Sequence, residues 1–242
     1  MTGKVLIYGG SGGIGRATGR ILKSRGYDLH LVGRDEGKLA PIASELGATF
    51  TVGDVLDDDL FAQVAVDAGE VLEGFVYAVG TINLKSLQRL GVADFVNDFR
   101  VNAMGAALAI QAVLPALKKS AGVASVVLFS SVASFQGFTF HSSIGMAKGA
   151  VGGLTLSLAA ELAPRVRVNA IAPSLTRTGL AEGLLLNEQS ATAIAGLHAL
   201  NRLGEPEDIA ALTAFLISPE SAWITGQIIS VDGGRSTLRP RG

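Results

Sequence analysis

Seven short apolar runs are spread along the chain, at residues 5–8, 29–32, 48–52, 75–79, 123–129, 166–171 and 227–231. Those at 5–8, 75–79 and 123–129 do not alternate apolar with polar residues. An unbroken run of about four to eight apolar residues suits a strand covered on both faces, as in a parallel sheet. Between the runs lie segments with helical spacing, at 14–25, 35–45, 60–68, 93–117, 142–162 and 206–217. Strand–helix alternation through the whole length predicts an α/β fold: a Rossmann-type doubly wound parallel sheet of about seven strands, with helices on both faces. No linker or charge run divides residues 1–242, so one domain is expected. Residues 236–242 read as a short, loosely held basic tail.

Composition narrows the possible functions. Apolar residues make up 48% of the chain, which supplies a sizeable core. There is no cysteine, which removes disulfides and thiolate metal ligands and fits a reducing compartment. The net charge is −1, with acids and bases interspersed, so no nucleic-acid footprint is present. The first apolar run is too brief for a signal peptide or a membrane span. The expectation is a cytoplasmic protein with no membrane or nucleic-acid partner and no metal site.

The first run ends in Tyr8-Gly9-Gly10-Ser11-Gly12-Gly13-Ile14-Gly15, and a helix with Ala17, Ile21 and Leu22 on one face follows. Residues without Cβ let a backbone approach a pyrophosphate, and a helix N-terminus offers free N–H donors and a positive dipole end. Gly9, Ser11, Gly13, Ile14 and Gly15 are therefore candidates for binding a dinucleotide cofactor. The second run leads into Gly33-Arg34-Asp35. A carboxylate at that strand end would grip a ribose diol, but Gly33 stands there and Arg34 follows. A guanidinium matches a 2′-phosphate bidentately, which favours NADP(H). Asp35 keeps NAD possible if it reaches the diol, or it caps the next helix. Asp54, after the third run, either accepts from an adenine amino group or caps the helix that follows residues 57–59.

Further along stand Val101-Asn102-Ala103, Ser130-Ser131, Lys148, Asn169-Ala170-Ile171-Ala172-Pro173, and an ending with Thr225-Gly226-Gln227 and Val231-Asp232-Gly233-Gly234. With the glycine loop, in this order, they resemble the short-chain dehydrogenase/reductase family in its single-domain form, across essentially the whole chain. That resemblance implies a catalytic asparagine, serine, tyrosine and lysine. The serine polarises a carbonyl and the tyrosine transfers a proton. The lysine holds the ribose hydroxyls and lowers the tyrosine pKa, and the asparagine supports a relay water. By position these are Asn102, Ser131 and Lys148, with Ile144 where the tyrosine is expected. Isoleucine can neither give nor take a proton. Ile144 and Lys148 are four apart, on one helix face. Gly80, Ser131 and Pro173 fall at carboxyl ends of strands, where open α/β sheets bind ligands. The resemblance also places Thr176 or Thr178 against the nicotinamide carboxamide.

Another group is then needed as the acid. The tyrosines are Tyr8, Tyr27 and Tyr77; Tyr8 and Tyr77 fall in strands, one of them a candidate to lie near the cofactor. His141 is preferred, because it precedes Ile144 by three residues and histidine titrates near neutrality. A helix N-terminus and aromatic neighbours both disfavour its imidazolium, so a space-filling or hydrogen-bonding role stays open. Relative to the family, Tyr8, Tyr77-Ala78, Ile144 and Ser174 are departures. The changes at 8, 77, 78 and 144 suggest one rebuilt site.

Residues 179–200 are apolar, with Leu180, Leu184, Leu185, Leu186 and Ile194. A substrate lid over about 176–200 is expected, ordinary core packing being the alternative. With Phe135, Phe138 and Phe140 nearby, an apolar small-molecule substrate is favoured. The many small residues of helix 142–162 suggest close packing, and the resemblance implies a homo-oligomer, dimer or tetramer. The function expected is an NADP(H)-dependent oxidoreductase acting on an apolar carbonyl or activated C=C bond. The alternatives are a catalytically silent dinucleotide-binding sensor or assembly protein, and a lyase- or isomerase-type reaction in the same pocket.

Overall fold

The computed structural model describes residues 3–239. Its sheet comprises β1 (Lys4–Tyr8), β2 (Asp28–Gly33), β3 (Thr49–Val52), β4 (Gly74–Tyr77), β5 (Ala124–Phe129), β6 (Val166–Pro173) and β7 (Ile228–Val231). The spatial order is β3-β2-β1-β4-β5-β6-β7, and every neighbouring pair is parallel. The chain winds outward from β1 to β3, then crosses back to place β4 on the other side of β1. That reversal makes a crevice beyond the strand ends, the usual ligand site of such sheets.

The connections hold α1 (Gly13–Ser24), α2 (Glu36–Leu46), α3 (Asp59–Ala68), α4 (Val92–Phe99), α5 (Gly105–Lys118), α6 (Ser142–Leu162), α7 (Glu182–Leu185), α8 (Glu188–Ala195) and α9 (Pro206–Ile217). On one face Leu6, Tyr8, Phe75, Tyr77 and Leu128 pack with residues of α3, α5 and α6. On the other, Val5, Ile7, Leu31 and Val76 pack with residues of α1, α2 and α9. Both sides of each central strand are covered, which is why the runs of β1, β4 and β5 show no alternation. The helical run Val92–Lys118 is apolar and long enough to cross a membrane, but Ala109, Ile110, Val113 and Leu117 pack in the core.

Two details differ from expectation. The single helix over 93–117 is instead α4 and α5 joined by a π-turn at Arg100–Met104, and Asn102 sits in that widened turn. Wide turns of this kind recur at functional sites because they re-aim a side chain. The start of the basic tail is held, since Ser236 N donates to Asp232 Oδ2 at 2.9 Å and Leu238 N to Gly234 O at 2.9 Å. Residues 240–242 of that tail lie outside the described residues. The segment 179–200 is a 3₁₀ turn (Gly179–Ala181) followed by α7 and α8.

Candidate active site

Beyond the carboxyl ends of the central strands lies a cavity of about 660 Å³. Its nucleotide-like end is shaped by the loop from β1 to α1. Gly9 has φ +79°, and a Cβ there would lie 2.6 Å from Ala78 O. A Cβ on Gly15 would lie 2.2 Å from Gly9 O. Only residues without side chains fit both places. Gly9 N and Gly10 N donate to Val32 O at 2.8 and 3.0 Å, which ties the loop to β2. Gly9, Ser11, Gly13 and Gly15 thus form a tight turn into α1, whose first N–H groups have no intrahelical acceptor. Ile14 contributes to the cavity wall.

Past β2, the exposed Arg34 side chain faces Asp54 at 3.6 Å. Asp35 takes the capping role, its Oδ1 accepting from Lys38 N at 3.2 Å. Asp54 does not cap α3; its Oδ1 accepts from Leu56 N at 2.9 Å and turns the loop.

Ser131, Ile144 and Lys148 meet at the middle of the cavity. Ser131 Oγ accepts from Ala133 N at 3.2 Å, and no acceptor among the described residues takes its proton. The hydroxyl is free to donate into the cavity. Lys148 is buried, and its Nζ donates to Phe129 O at 2.9 Å. An ammonium has three donors, so two remain for a ligand. Burial pushes the Lys148 pKa down to about 8, against the pull of the Asp98 charge. Gly80 packs closely under the site: a Cβ there would come 3.0 Å from Asn102 Oδ1 and 3.2 Å from Lys148 Nζ.

Asn102 lies behind this layer. Its Nδ2 donates to Thr81 Oγ1 and to Asp98 O, each at 2.8 Å. Asp98 is fully buried and accepts from Thr81 Oγ1 at 2.7 Å, Ser143 Oγ at 2.5 Å and Asn83 Nδ2 at 3.3 Å. Sequence reasoning missed Thr81, Asp98 and Ser143. The signal for Asp98 was its place four residues before Asn102, on the same helical face.

No tyrosine lines the cavity. Tyr8 packs in the core at 5.6 Å from the Tyr77 ring and 5.7 Å from Phe75. Tyr77 OH donates to Val101 O at 2.8 Å. Burial raises both phenols well above their ordinary range. Tyr27 is buried in the core of the opposite face of the sheet. The set 8, 77, 78 and 144 is therefore divided: Ala78 and Ile144 are cavity wall, while Tyr8 and Tyr77 are core. His141 does reach the cavity, though it precedes α6 as its N-cap residue and does not share the helix body. Its Nδ1 donates to Thr139 O at 2.7 Å, and its ring lies 5.3 Å from Phe138.

The far wall carries Pro173, Ser174, Thr176 and Thr178, with Leu180, Leu184, Leu186 and Ile194 beyond them. Thr176 Oγ1 donates to Ser174 O at 3.0 Å. Ser174 Oγ and His198 Nε2 are 2.8 Å apart, and His198 Nδ1 donates to Ile194 O at 2.9 Å. His198 was also missed; its one sequence signal is a histidine inside an otherwise apolar segment.

Residues 9–236 match the family model described as enoyl-(acyl carrier protein) reductase. The chain belongs to the short-chain dehydrogenase/reductase family. It is 35% identical to a tropinone reductase homolog of Arabidopsis thaliana, over 97% of this chain and 92% of that protein. It is 32% identical to L-2,3-butanediol dehydrogenase of Corynebacterium glutamicum, over 97% of this chain and 98% of that enzyme. The structure of levodione reductase superposes with a TM-score of 0.91 at 28% identity, covering 98% of each chain. Membership makes the protein an oxidoreductase of the NAD(P)-dependent kind.

Proposed function

We propose that this short-chain dehydrogenase/reductase uses NADP(H) to interconvert an apolar carbonyl compound and its alcohol, with Ile144 standing where the family's tyrosine is expected. The observation that carries the reading is Lys148: a buried ammonium beside Ser131, with donors to spare and bare backbone at Gly80 in front of it. The residues fit a nicotinamide nucleotide. Ser11, Gly13 and Gly15 would take the pyrophosphate on backbone N–H groups, with Gly9 clearing the space for it. Lys148 would hold the ribose hydroxyls, with Asn102 and Gly80 behind it. Pro173, Thr176 and Thr178 would flank the nicotinamide, and Ile14 its ring face. Asp54 would face the adenine. When bound, the reduced nucleotide supplies a hydride.

The preference for NADP(H) rests on Arg34. Its side chain is exposed, its only ion-pair partner among the described residues is Asp54 at 3.6 Å, and Asp35 is committed to a helix N-terminus. A 2′-phosphate would find a guanidinium and no competing free carboxylate.

On the substrate side, the free Ser131 hydroxyl would hydrogen-bond the carbonyl oxygen and polarise it. Residues 176–200 would act as a lid whose leucines exclude water. His141, with Nδ1–H held by Thr139 O, presents Nε2 as an acceptor from the α6 end. With its Nδ1–H committed to a backbone carbonyl, we assign it ligand orientation rather than acid catalysis. A homo-oligomer built on α6 is consistent with Gly149 and Gly153, where a Cβ would meet nothing within 4 Å.

The test is a fluorescence titration with NADPH and NADH, followed by stopped-flow mixing with ketones, diketones and enones. Binding with hydride transfer to a ketone or diketone supports the reading. Tight binding with no transfer to any of them would leave a nucleotide-binding sensor as the better description.

A further inference from the structure

We propose that Ser174 and His198 form the proton-transfer pair of this cavity, with Ser174 touching the reacting oxygen and His198 acting from behind it. The inference rests on the nucleotide-dependent reading above. It answers a chemical need, because Ile144 has no proton and the three phenols lie outside the cavity lining.

Ser174 follows the end of β6 and lines the main cavity. It also lines a second cavity of about 170 Å³, shared with His198, Arg202, Asp208 and Asp232. The hydroxyl therefore stands between the substrate space and a histidine that is itself 2% exposed. Hydrogen-bond direction decides what the pair can do. A carbonyl only accepts, so His198 Nδ1 carries a proton and gives it to Ile194 O at 2.9 Å. In the neutral ring Nε2 is then bare and takes the Ser174 proton across 2.8 Å. In the imidazolium Nε2–H donates to Ser174 Oγ, and the serine proton is turned into the cavity. Both states keep both bonds, so the pair can reverse without moving a heavy atom. That is the behaviour required of a relay.

In the reducing direction, Ser174 gives its Oγ proton to the carbonyl oxygen as hydride from the reduced nicotinamide reaches the carbonyl carbon. The C=O π pair moves onto that oxygen, and Ser174 Oγ takes the Nε2 proton of the imidazolium. The products are the alcohol, the oxidised nucleotide and neutral His198, which regains a proton from water on the side of the smaller cavity. In the oxidising direction neutral His198 draws the proton of the alcohol through Ser174. The charged groups around His198 are Asp232, Asp208 and Arg202 at the smaller cavity, and Arg235, which donates to Leu197 O at 3.4 Å. Asp232 interacts with His198 electrostatically.

The chain has three histidines, so their ring signals are separable by ¹⁵N NMR, with His198→Gln giving the assignment. In the free protein, the pair predicts an Nδ1-protonated His198 ring whose Nε2 resonance and apparent pKa both move in Ser174→Ala. Unchanged ring signals in that variant would overturn the proposal before any turnover is measured. With bound NADPH and a panel including 1-phenylpropane-1,2-dione, Ser174→Ala should lose about 10²- to 10⁴-fold in kcat, as for a lost general acid, with nucleotide affinity intact. Ser174→Thr keeps the hydroxyl and should retain most of the rate. The fall in rate with rising pH should vanish in His198→Gln, and added imidazole should restore part of the activity of His198→Ala. Undiminished turnover in Ser174→Ala, or bound nucleotide with no turnover of any panel member by the natural protein, sinks the pair. Failure to bind NADPH sinks the parent reading, and the pair with it.

Discussion

The two walls of the cavity are built by different means. At the α1 end the backbone would do the binding: glycines at 9 and 15 clear the space, and the first N–H groups of α1 have no intrahelical acceptor. Nothing there depends on a titrating side chain. At the β6 end side chains would carry the chemistry: Ser174 and Ser131 line the cavity, and His198 bonds Ser174. Lys148 stands between the two as a buried charge. The difference teaches that the nucleotide half of such a site can stay constant while the proton half is replaced. A backbone cradle tolerates few alternatives, whereas any correctly aimed hydroxyl–imidazole pair can move a proton.

Breaking the nucleotide wall should give the largest effects. Lys148→Met removes a buried, hydrogen-bonded charge and should weaken NADPH binding roughly 100-fold, measured by fluorescence titration. Unchanged affinity would mean that no ribose lies against this lysine. Gly9→Ala forces a Cβ to 2.6 Å from Ala78 O at φ +79°. It should cost about 1–3 kcal/mol of stability, read from the urea midpoint, and abolish tight nucleotide binding.

Two further changes sharpen the comparison. Arg34→Ala should reduce the preference for NADPH over NADH by about tenfold, through NADPH alone. Equal loss for both nucleotides would remove the 2′-phosphate from the account. Ile144→Tyr puts a larger ring where the native side chain is only 5% exposed. Overpacking of this kind costs about 1–3 kcal/mol. Carbonyl reduction should change by less than about tenfold if the proton comes from the β6 wall. A rise of several hundredfold would show that the only thing the site lacked was a phenol.

The smallest effect is in pH. Burial holds the Lys148 pKa down at about 8. The ammonium form therefore dominates below that pH and is lost above it. Affinity for NADPH should be flat from pH 6 to 7 and decline through about pH 8, by up to about tenfold at pH 9. A rise over that range would contradict a charged lysine as the ribose clamp.

How much of this was legible in the sequence follows the same division. The seven strands and the phosphate loop could be read because periodicity and glycine spacing are local signals. Ser131, Ile144 and Lys148 could be placed because one helix and one strand end carry them. The Asp98–Thr81–Ser143 cluster and His198 could not, since they join residues 17 to 45 positions apart, or 24 for Ser174 and His198, through tertiary packing alone. Tyr8 and Tyr77 misled for a related reason. Helices cover both faces of β1 and β4 and the cavity lies beyond the strand ends, so a phenol inside either strand is core whichever face it takes. The π-turn was hidden too, because its residues keep an apolar helical pattern while the backbone widens by one residue.

The most direct test of the central claim is equilibrium titration of the purified protein with NADPH and NADH, with Lys148→Met as control. The account predicts saturable binding of both, tighter for NADPH, and marked weakening in the variant. No measurable binding of either nucleotide, or binding indifferent to residue 148, would contradict it.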